Sequence, residues 1–155
     1  MSKKSGFTLI ELLIVISIIA ILSAIGLVSY GNFMKSSRDA RRQSDLKFIQ
    51  SALEEYYSDL FYYPAGSLPY GSALTNCTGA YPICSTTATK TYLSTIPTDS
   101  TIAQYSYIAT PASCDNNISK CTGYCLYAAF EGTSRPMSDT ICSPTAPYTY
   151  GVTRP

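Results

Sequence analysis

An apolar run from Phe7 to Val28 is the feature that most limits what this chain can fold into. As a helix rising about 1.5 Å per residue, the run is about 30 Å long, which is the thickness of the hydrocarbon core of a bilayer. The apolar part of an ordinary secretory signal has about 7 to 15 residues and is followed by a small-residue cleavage site. Here the small residue, Gly6, precedes the run. The run therefore predicts a transmembrane helix that remains after any cut at Gly6.

The charges that flank the run indicate its orientation. Lys3 and Lys4 precede it, and no Lys, Arg or His occurs between Phe7 and Tyr30. The positive-inside rule then places the leader in the cytoplasm and the chain after Tyr30 outside it. Basic residues also follow the run within residues 35–42, so charge alone leaves the opposite orientation open.

Glu11 is the charged residue within this apolar run. A carboxylate at the bilayer centre costs about 2.5 to 3.5 kcal/mol on insertion scales, which makes it a functional-site hypothesis with a partner to be named. Because the run has no basic residue, the partner is expected from another chain, or from an amine made by cutting after Gly6. The alternative is a plain membrane anchor with an incidental glutamate.

The sequence around Glu11, Ser5-Gly6-Phe7-Thr8-Leu9-Ile10-Glu11-Leu12-Leu13, resembles the prepilin-peptidase site of type IV pilins and of the related pseudopilins of type II secretion systems. The resemblance implies that a membrane peptidase cuts between Gly6 and Phe7 and methylates the new amino group of Phe7. It also implies that Glu11 pairs with the Phe7 amine of a neighbouring subunit. The implied partners are further copies of the chain, prepilin peptidase, a pilus assembly platform with minor pilins, and membrane lipid before assembly.

The spacing of Phe7 and Glu11 is compatible with that role. Residues four apart share one face of a helix. In a stack of parallel helices displaced along their axes, the amine of one chain can meet the carboxylate of the next. Burying both charges as a pair costs less than burying either alone. A contact between unlike surfaces that does not close into a ring generates an open helical filament.

The chain becomes amphipathic after Ser29. Apolar residues recur at steps of three and four, which predicts a helix with one buried face. These residues are Leu46, Ile49, Leu53, Tyr56 and Leu60. No proline occurs before Pro64, so one helix is predicted from near Phe7 to about Tyr62. Gly26 and Gly31 cost about 1 kcal/mol each relative to alanine and are the predicted places of bending or local melting.

The polar residues of this helix lie opposite the apolar stripe or in a charged run. The face opposite the apolar stripe carries Asp45, Lys47, Gln50, Glu54 and Ser58. The charged run at residues 35–42 predicts contact with lipid headgroups or phosphate, or charge pairing between subunits. The alternative for that run is a solvated helix face.

The chain after Tyr63 predicts a small antiparallel sheet. Three runs bounded by Pro, Gly, Asn or Ser are the strand candidates, at residues 104–110, 123–131 and 147–153. The predicted fold is α+β, a pilin fold whose long helix packs on about three to four strands. Its predicted parts are a leader (1–6), a transmembrane and filament-core helix (7–28), an amphipathic half-helix (29–62), and the disulfide-containing loop and sheet of a globular head (63–155).

Six cysteines lie in the part that is predicted to be outside the cytoplasm: Cys77, Cys84, Cys114, Cys121, Cys125 and Cys142. An even number in such a segment predicts disulfides, but the sequence does not fix their connectivity. A local loop between Cys77 and Cys84 is the preferred pair. The alternative is a metal site that includes Cys121 and Cys125, which the absence of histidine disfavours.

The residue types that the chain lacks and its net charge exclude several classes of function. Without histidine, a Gly-rich phosphate loop or a cysteine beside a base, the chain does not resemble an enzyme, and no cofactor is expected. A formal net charge of +1 gives no basic footprint for nucleic acid. The function that the resemblance implies is a type IV pilus subunit, first a single-pass inner-membrane protein with its N-terminus inside and then part of an extracellular filament. The alternatives are a type II secretion pseudopilin and a monomeric membrane-anchored adhesin, for which Glu11 would be dispensable.

Overall fold

The computed structural model describes residues 6–76, 90–99, 103–132, 142 and 145–154. The chain divides into two compact units, one ending at Ser37 and the other running from Arg38 to Pro155. Between Gly6 and Ser37, every residue whose burial is described is exposed, and burial begins at Arg38. Packing therefore starts within the predicted amphipathic half-helix rather than at its beginning.

The helix α1 runs from Leu9 to Leu60, close to the bounds that the missing proline predicted. The helix continues without a break through Gly26 and Gly31, so the predicted bending or melting at these residues stays a prediction. A Cβ added at either glycine would meet no described atom within 4 Å. Phe61 ends the helix with a φ of 60°, in the left-handed conformation common after a helix C-terminus. Its N–H donates to the carbonyl of Tyr57 at 2.8 Å.

The N-terminal part of α1 is apolar on all sides. Within the described residues, α1 is the one helix long and apolar enough to cross a membrane. Its large side chains are exposed, including Leu9 at 80% and Leu27 at 76%. A helix that is apolar all round belongs in lipid or among other helices. By length and composition the helix could span a membrane, and the span at residues 7–28 stays a prediction.

The strands form two antiparallel sheets. A small sheet pairs β1, Leu74–Thr75, with β2, Thr91–Leu93. A larger one has β4, Gly123–Ala128, between β3, Ser106–Thr110, and β5, Tyr150–Thr153. The larger sheet confirms the three predicted strand runs. The smaller was not predicted, because two or three residues are too few to show an alternating pattern.

The core confirms the predicted helical stripe. Leu46, Ile49 and Leu53 have no exposed surface, and Tyr56 is 1% exposed. Their partners on the sheet include Leu126 of β4. Successive residues of a strand point to opposite faces, so Tyr124, Leu126 and Ala128 join this core while Cys125 and Tyr127 form a second cluster with Cys142. The whole of β4 is consequently buried.

The polar face of the helix, opposite the buried stripe, is partly covered by tyrosine side chains. The Asp45 carboxylate accepts a hydrogen bond from the Tyr105 hydroxyl at 2.7 Å. The Glu54 carboxylate accepts from the hydroxyls of Tyr63 and Tyr124, both at 3.0 Å. Burial, followed by the neighbouring Glu54 carboxylate, raises the pKa of both tyrosines, which therefore stay protonated donors. The hydroxyls of Tyr63, Tyr105 and Tyr124 thus contact acidic side chains of α1. Both acidic residues, Asp45 and Glu54, are half-buried.

Two disulfides join Cys114 to Cys121 and Cys125 to Cys142. The alternative of a metal site at Cys121 and Cys125 is therefore wrong, because their sulfurs belong to separate disulfides. Cys77 and Cys84 lie outside the described residues, so their pairing stays a prediction.

Candidate processing and assembly site

The predicted cleavage site is openly accessible. Gly6, Phe7 and Thr8 precede α1, and Phe7 is 90% exposed. A Cβ added at Gly6 would meet no described atom within 4 Å. The peptide bond between Gly6 and Phe7 therefore lies in non-helical chain, where a peptidase can reach it without unwinding the helix.

Thr8 and Glu11 cap the start of α1. The Glu11 carboxylate accepts a hydrogen bond from the Thr8 backbone N–H at 2.8 Å and another from its hydroxyl at 2.7 Å. In return, the Thr8 hydroxyl oxygen accepts from the Glu11 backbone N–H at 3.3 Å. This arrangement is a capping box, and it also places a negative charge at the positive end of the helix dipole.

The capping box changes the expectation for Glu11. Before cleavage its hydrogen-bond partner is Thr8 of the same chain, whereas the sequence predicts a partner from another chain or an amine made by cutting after Gly6. The signal was present as Thr-x-x-Glu before an apolar run, the usual sequence of a capping box. The shared helix face predicted for Phe7 and Glu11 is also wrong for this structure, because α1 begins at Leu9 and Phe7 lies outside it.

A second group, missed from the sequence, is an ion cluster of Arg38, Asp39, Arg42, Asp99 and Glu131. The Arg42 side chain is 3% exposed, and its Nε donates to the Asp99 carboxylate. Its Nη1 contacts Asp39 at 2.8 Å and Glu131 at 3.1 Å. Arg38 makes two hydrogen bonds to Glu131. The predicted solvent or lipid exposure of the charged run is therefore wrong for Arg42.

The position of Arg42 relative to the apolar stripe indicates that its side chain is buried. Stepping back four residues from Leu46 places Arg42 on the buried face of α1. Burial by itself lowers the pKa of Arg42, but its hydrogen bonds to Asp99, Asp39 and Glu131 outweigh that effect and raise it. Arg42 thus stays charged and links α1 to two segments distant in sequence.

Acid is expected to weaken the ion cluster. Hydrogen bonding from Arg38, reinforced by Arg42, lowers the pKa of Glu131 from 4.5 to about 2. A carboxyl whose pKa is lowered on folding adds stability above its unfolded pKa and loses it as pH falls through the folded value. The unfolding temperature of the full chain in detergent micelles should therefore drop between pH 4.5 and pH 2. Glu131→Gln should reduce that drop, and identical pH profiles for variant and wild type would contradict the assignment.

Metal binding has no support in the part of the chain that the structure describes. No group of three or more His, Cys, Asp or Glu side chains there is placed to hold a metal ion. The acidic residues of the ion cluster face arginines instead.

The chain matches a family model and several known proteins over part of its length. Residues 1–27 match the family model described as the prokaryotic N-terminal methylation motif. Fimbrial protein EcpC of Eikenella corrodens is 42% identical over 72 residues, which is 46% of this chain and 47% of that protein. Prepilin peptidase-dependent protein D of Escherichia coli K12 is 60% identical over 37 residues, 24% of this chain and 25% of the relative.

A third relative is a probable minor fimbrial protein of Dichelobacter nodosus, 35% identical over 77 residues, or 50% of this chain and 45% of the relative. The chain thus spans less than half the length of each of these relatives. No solved structure matches it. These relatives carry the names of fimbrial and prepilin-type proteins rather than of enzymes. The chain thus carries the prokaryotic N-terminal methylation motif and is similar, over part of its length, to fimbrial and prepilin-type proteins.

Proposed function

We propose that this chain is a structural subunit of a type IV pilus, made as a membrane-anchored precursor and cut after Gly6. One observation carries the proposal: an accessible Gly6-Phe7 bond stands at the head of an exposed apolar helix that contains Glu11. The names of relatives as fimbrial proteins support a filament, and the name of the E. coli relative supports dependence on prepilin peptidase.

Cleavage would supply the cation that the apolar run lacks. Hydrolysis of the Gly6–Phe7 amide releases residues 1–6 and leaves an ammonium group on Phe7, which the peptidase then methylates. Because the leader carries Lys3 and Lys4, its loss also removes the basic flank that would resist extraction from the membrane. Phe7 then becomes the site of both N-methylation and pairing.

The Glu11 carboxylate can accept a hydrogen bond from this ammonium group and still keep its hydrogen bonds to Thr8. Both hydrogen bonds from Thr8 go to Oε2, and Oε1 accepts none from the described residues. A carboxylate has about four acceptor positions, so Oε1 remains available to the Phe7 ammonium of a neighbouring chain. The capping box would thus hold the carboxylate in place before assembly, and the second charge would complete the pair during assembly.

The apolar part of α1 would form the filament core. Its exposed side chains leave lipid on assembly and pack against the same residues of other copies, while the ion pair sets the axial register. Gly26 and Gly31 are the places where the helix is expected to bend or melt if subunit packing requires it. The assembly partners proposed are copies of this chain, an assembly platform and minor pilins.

The proposed location is the inner membrane before assembly, with the N-terminus inside, and the extracellular filament afterwards. The disulfides Cys114–Cys121 and Cys125–Cys142 support an oxidising compartment for the second unit. The exposed apolar helix supports a membrane-bound precursor.

Gly6→Leu is expected to block cleavage and therefore assembly. The structure has room for the side chain at Gly6, so the variant should insert and fold normally and fail only in the peptidase. Mass spectrometry of the membrane fraction should find the chain with residues 1–6 attached. Gly26→Ala is the control for cleavage, since it also adds a side chain into open space but leaves the cleavage site intact, and its chain should lose residues 1–6. Fibres built from uncut Gly6→Leu subunits would contradict the proposal.

Fibre length separates this proposal from its alternatives. Long fibres shed from the surface of source cells are expected for a pilin. Fibres that form only when the chain is overproduced would indicate a pseudopilin of type II secretion. A chain that stays monomeric in the membrane and functions without Glu11 would indicate an anchored adhesin.

A further inference from the structure

The loop between β3 and β4 contains an acceptor sequence for modification that the filament proposal does not use. Asn117-Ile118-Ser119 fits the acceptor sequence for N-linked glycosylation, in which any residue except proline separates Asn from Ser or Thr. Such sequences are common by chance, so the surroundings of the asparagine decide whether it can serve. An acceptor needs an exposed loop with a free amide nitrogen.

The loop presents the acceptor sequence outward. Its ends are joined by the Cys114–Cys121 disulfide. The Asp115 carboxylate accepts hydrogen bonds from the backbone N–H groups of Asn117, Ile118 and Ser119, at 3.0, 2.8 and 3.1 Å. All three residues are exposed, with Ile118 at 90%.

The polar side chains of the acceptor sequence are free to react. Neither the Asn117 amide nor the Ser119 hydroxyl forms a hydrogen bond with any other described residue. Asp115 thus orders the backbone of the loop and leaves these two groups to an incoming enzyme.

Other asparagines described in the second unit are more buried than Asn117, and their side chains form hydrogen bonds. Asn116 is 4% exposed, its Nδ2 donates to the Tyr63 carbonyl at 2.7 Å, and its Oδ1 accepts from the Cys121 N–H at 2.7 Å. Asn76 begins a second acceptor sequence, Asn76-Cys77-Thr78, but is half-buried and accepts a hydrogen bond from the Lys90 N–H at 3.3 Å. Of the asparagines described from Arg38 onwards, Asn117 combines exposure, an acceptor sequence and an unpaired amide.

We propose that Asn117 is the acceptor of an N-linked glycan. The donor class is a lipid-linked oligosaccharide diphosphate, used by a membrane oligosaccharyltransferase. The bond between the anomeric carbon and the phosphate oxygen breaks, and a bond from that carbon to Nδ2 of Asn117 forms. The amide gives up one proton, and the lipid diphosphate leaves. The inference rests on the proposed function in one respect, because the transfer requires the second unit to lie outside the cytoplasm.

The attached glycan would also cover Ile118. This apolar side chain lies between the acceptor and Ser119 and is almost fully exposed to water. A sugar chain on the adjacent amide would shield it and make the loop tip hydrophilic, without disturbing the hydrogen bonds to Asp115.

The test is mass spectrometry of the chain purified from its source cells, both intact and as the proteolytic peptide that contains residues 112–120. The wild-type chain should exceed its sequence mass by a series of sugar residues located on Asn117. The excess should disappear in Asn117→Gln and in Ser119→Ala, which keeps the asparagine but destroys the acceptor sequence. It should remain in Ser119→Thr and in Asn76→Gln.

A bare Asn117 in the wild-type chain, or a mass excess that survives Asn117→Gln, would overturn the inference. Because the Asn117 side chain has no partner in the described structure, Asn117→Gln is expected to fold normally, which its unfolding temperature checks. The same intact mass reports separately on the loss of residues 1–6. A chain that begins at Phe7 with a bare Asn117 would overturn this inference alone, whereas an uncut chain would count against the proposed function.

Discussion

Glu11→Gln is expected to abolish filaments while leaving membrane insertion and cleavage after Gly6 intact. The amide keeps the hydrogen-bonding shape of the carboxylate, and glutamine also serves in capping boxes, so the start of α1 should remain capped. The negative charge is lost, and the Phe7 ammonium of the neighbouring chain would be buried without its partner. Removing one member of a buried ion pair costs about 3 to 5 kcal/mol. Since the cost recurs at every subunit, fibres should fall below detection by electron microscopy of sheared material.

Glu11→Ala is the companion variant that separates two roles of this residue. It removes both the charge and the cap, so it should fail to assemble as completely as Glu11→Gln. If capping alone mattered, Glu11→Gln would assemble and Glu11→Ala would not. Normal fibres from Glu11→Gln would therefore overturn the ion-pair role and leave Glu11 as a capping residue.

Arg42→Ala is expected to destabilise the second unit by about 3 to 5 kcal/mol, because it leaves the buried Asp99 carboxylate without its ion-pair partner. Asp99 is 8% exposed, so water can replace little of what Arg42 supplies. Total stabilities of domains are about 5 to 15 kcal/mol, so a loss of this size removes a large part of the total. Thermal unfolding of the full chain in detergent micelles, followed by the near-ultraviolet circular dichroism of its tyrosines, measures the change.

Arg41→Ala is the matched control for Arg42. The two arginines are adjacent on α1, but Arg41 is exposed and forms no ion pair with the residues that the structure describes. Its loss should change the free energy of unfolding by no more than about 0.5 kcal/mol, as is usual for surface positions. Equal effects of the two substitutions would contradict the structural role assigned to the ion cluster.

Much of the fold could be predicted because its determinants are local. The apolar run at residues 7–28 and the stripe from Leu46 to Leu60 follow from helical periodicity alone. Turn residues bounded the three strands of the larger sheet. The capping box of Thr8 and Glu11 was equally local and could have been found from the same few residues.

The ion cluster and the disulfide pairs could not be predicted in the same way. Arg42 is buried only because Asp99 and Glu131 come from segments that are distant in sequence and lie against α1 in the folded unit. Without that knowledge, a basic residue beyond a membrane span looks solvent-exposed. The pairing of Cys125 with Cys142 likewise joins two residues 17 apart in sequence, and no local pattern indicates it.

The central claim is that the chain is cut after Gly6 and built into a filament, and N-terminal analysis of fibres sheared from the source cells tests it most directly. The account predicts subunits that begin at N-methylated Phe7 and lack residues 1–6, recovered in high-molecular-weight fibres. Chains that keep Met1 and are recovered only from the membrane would contradict it.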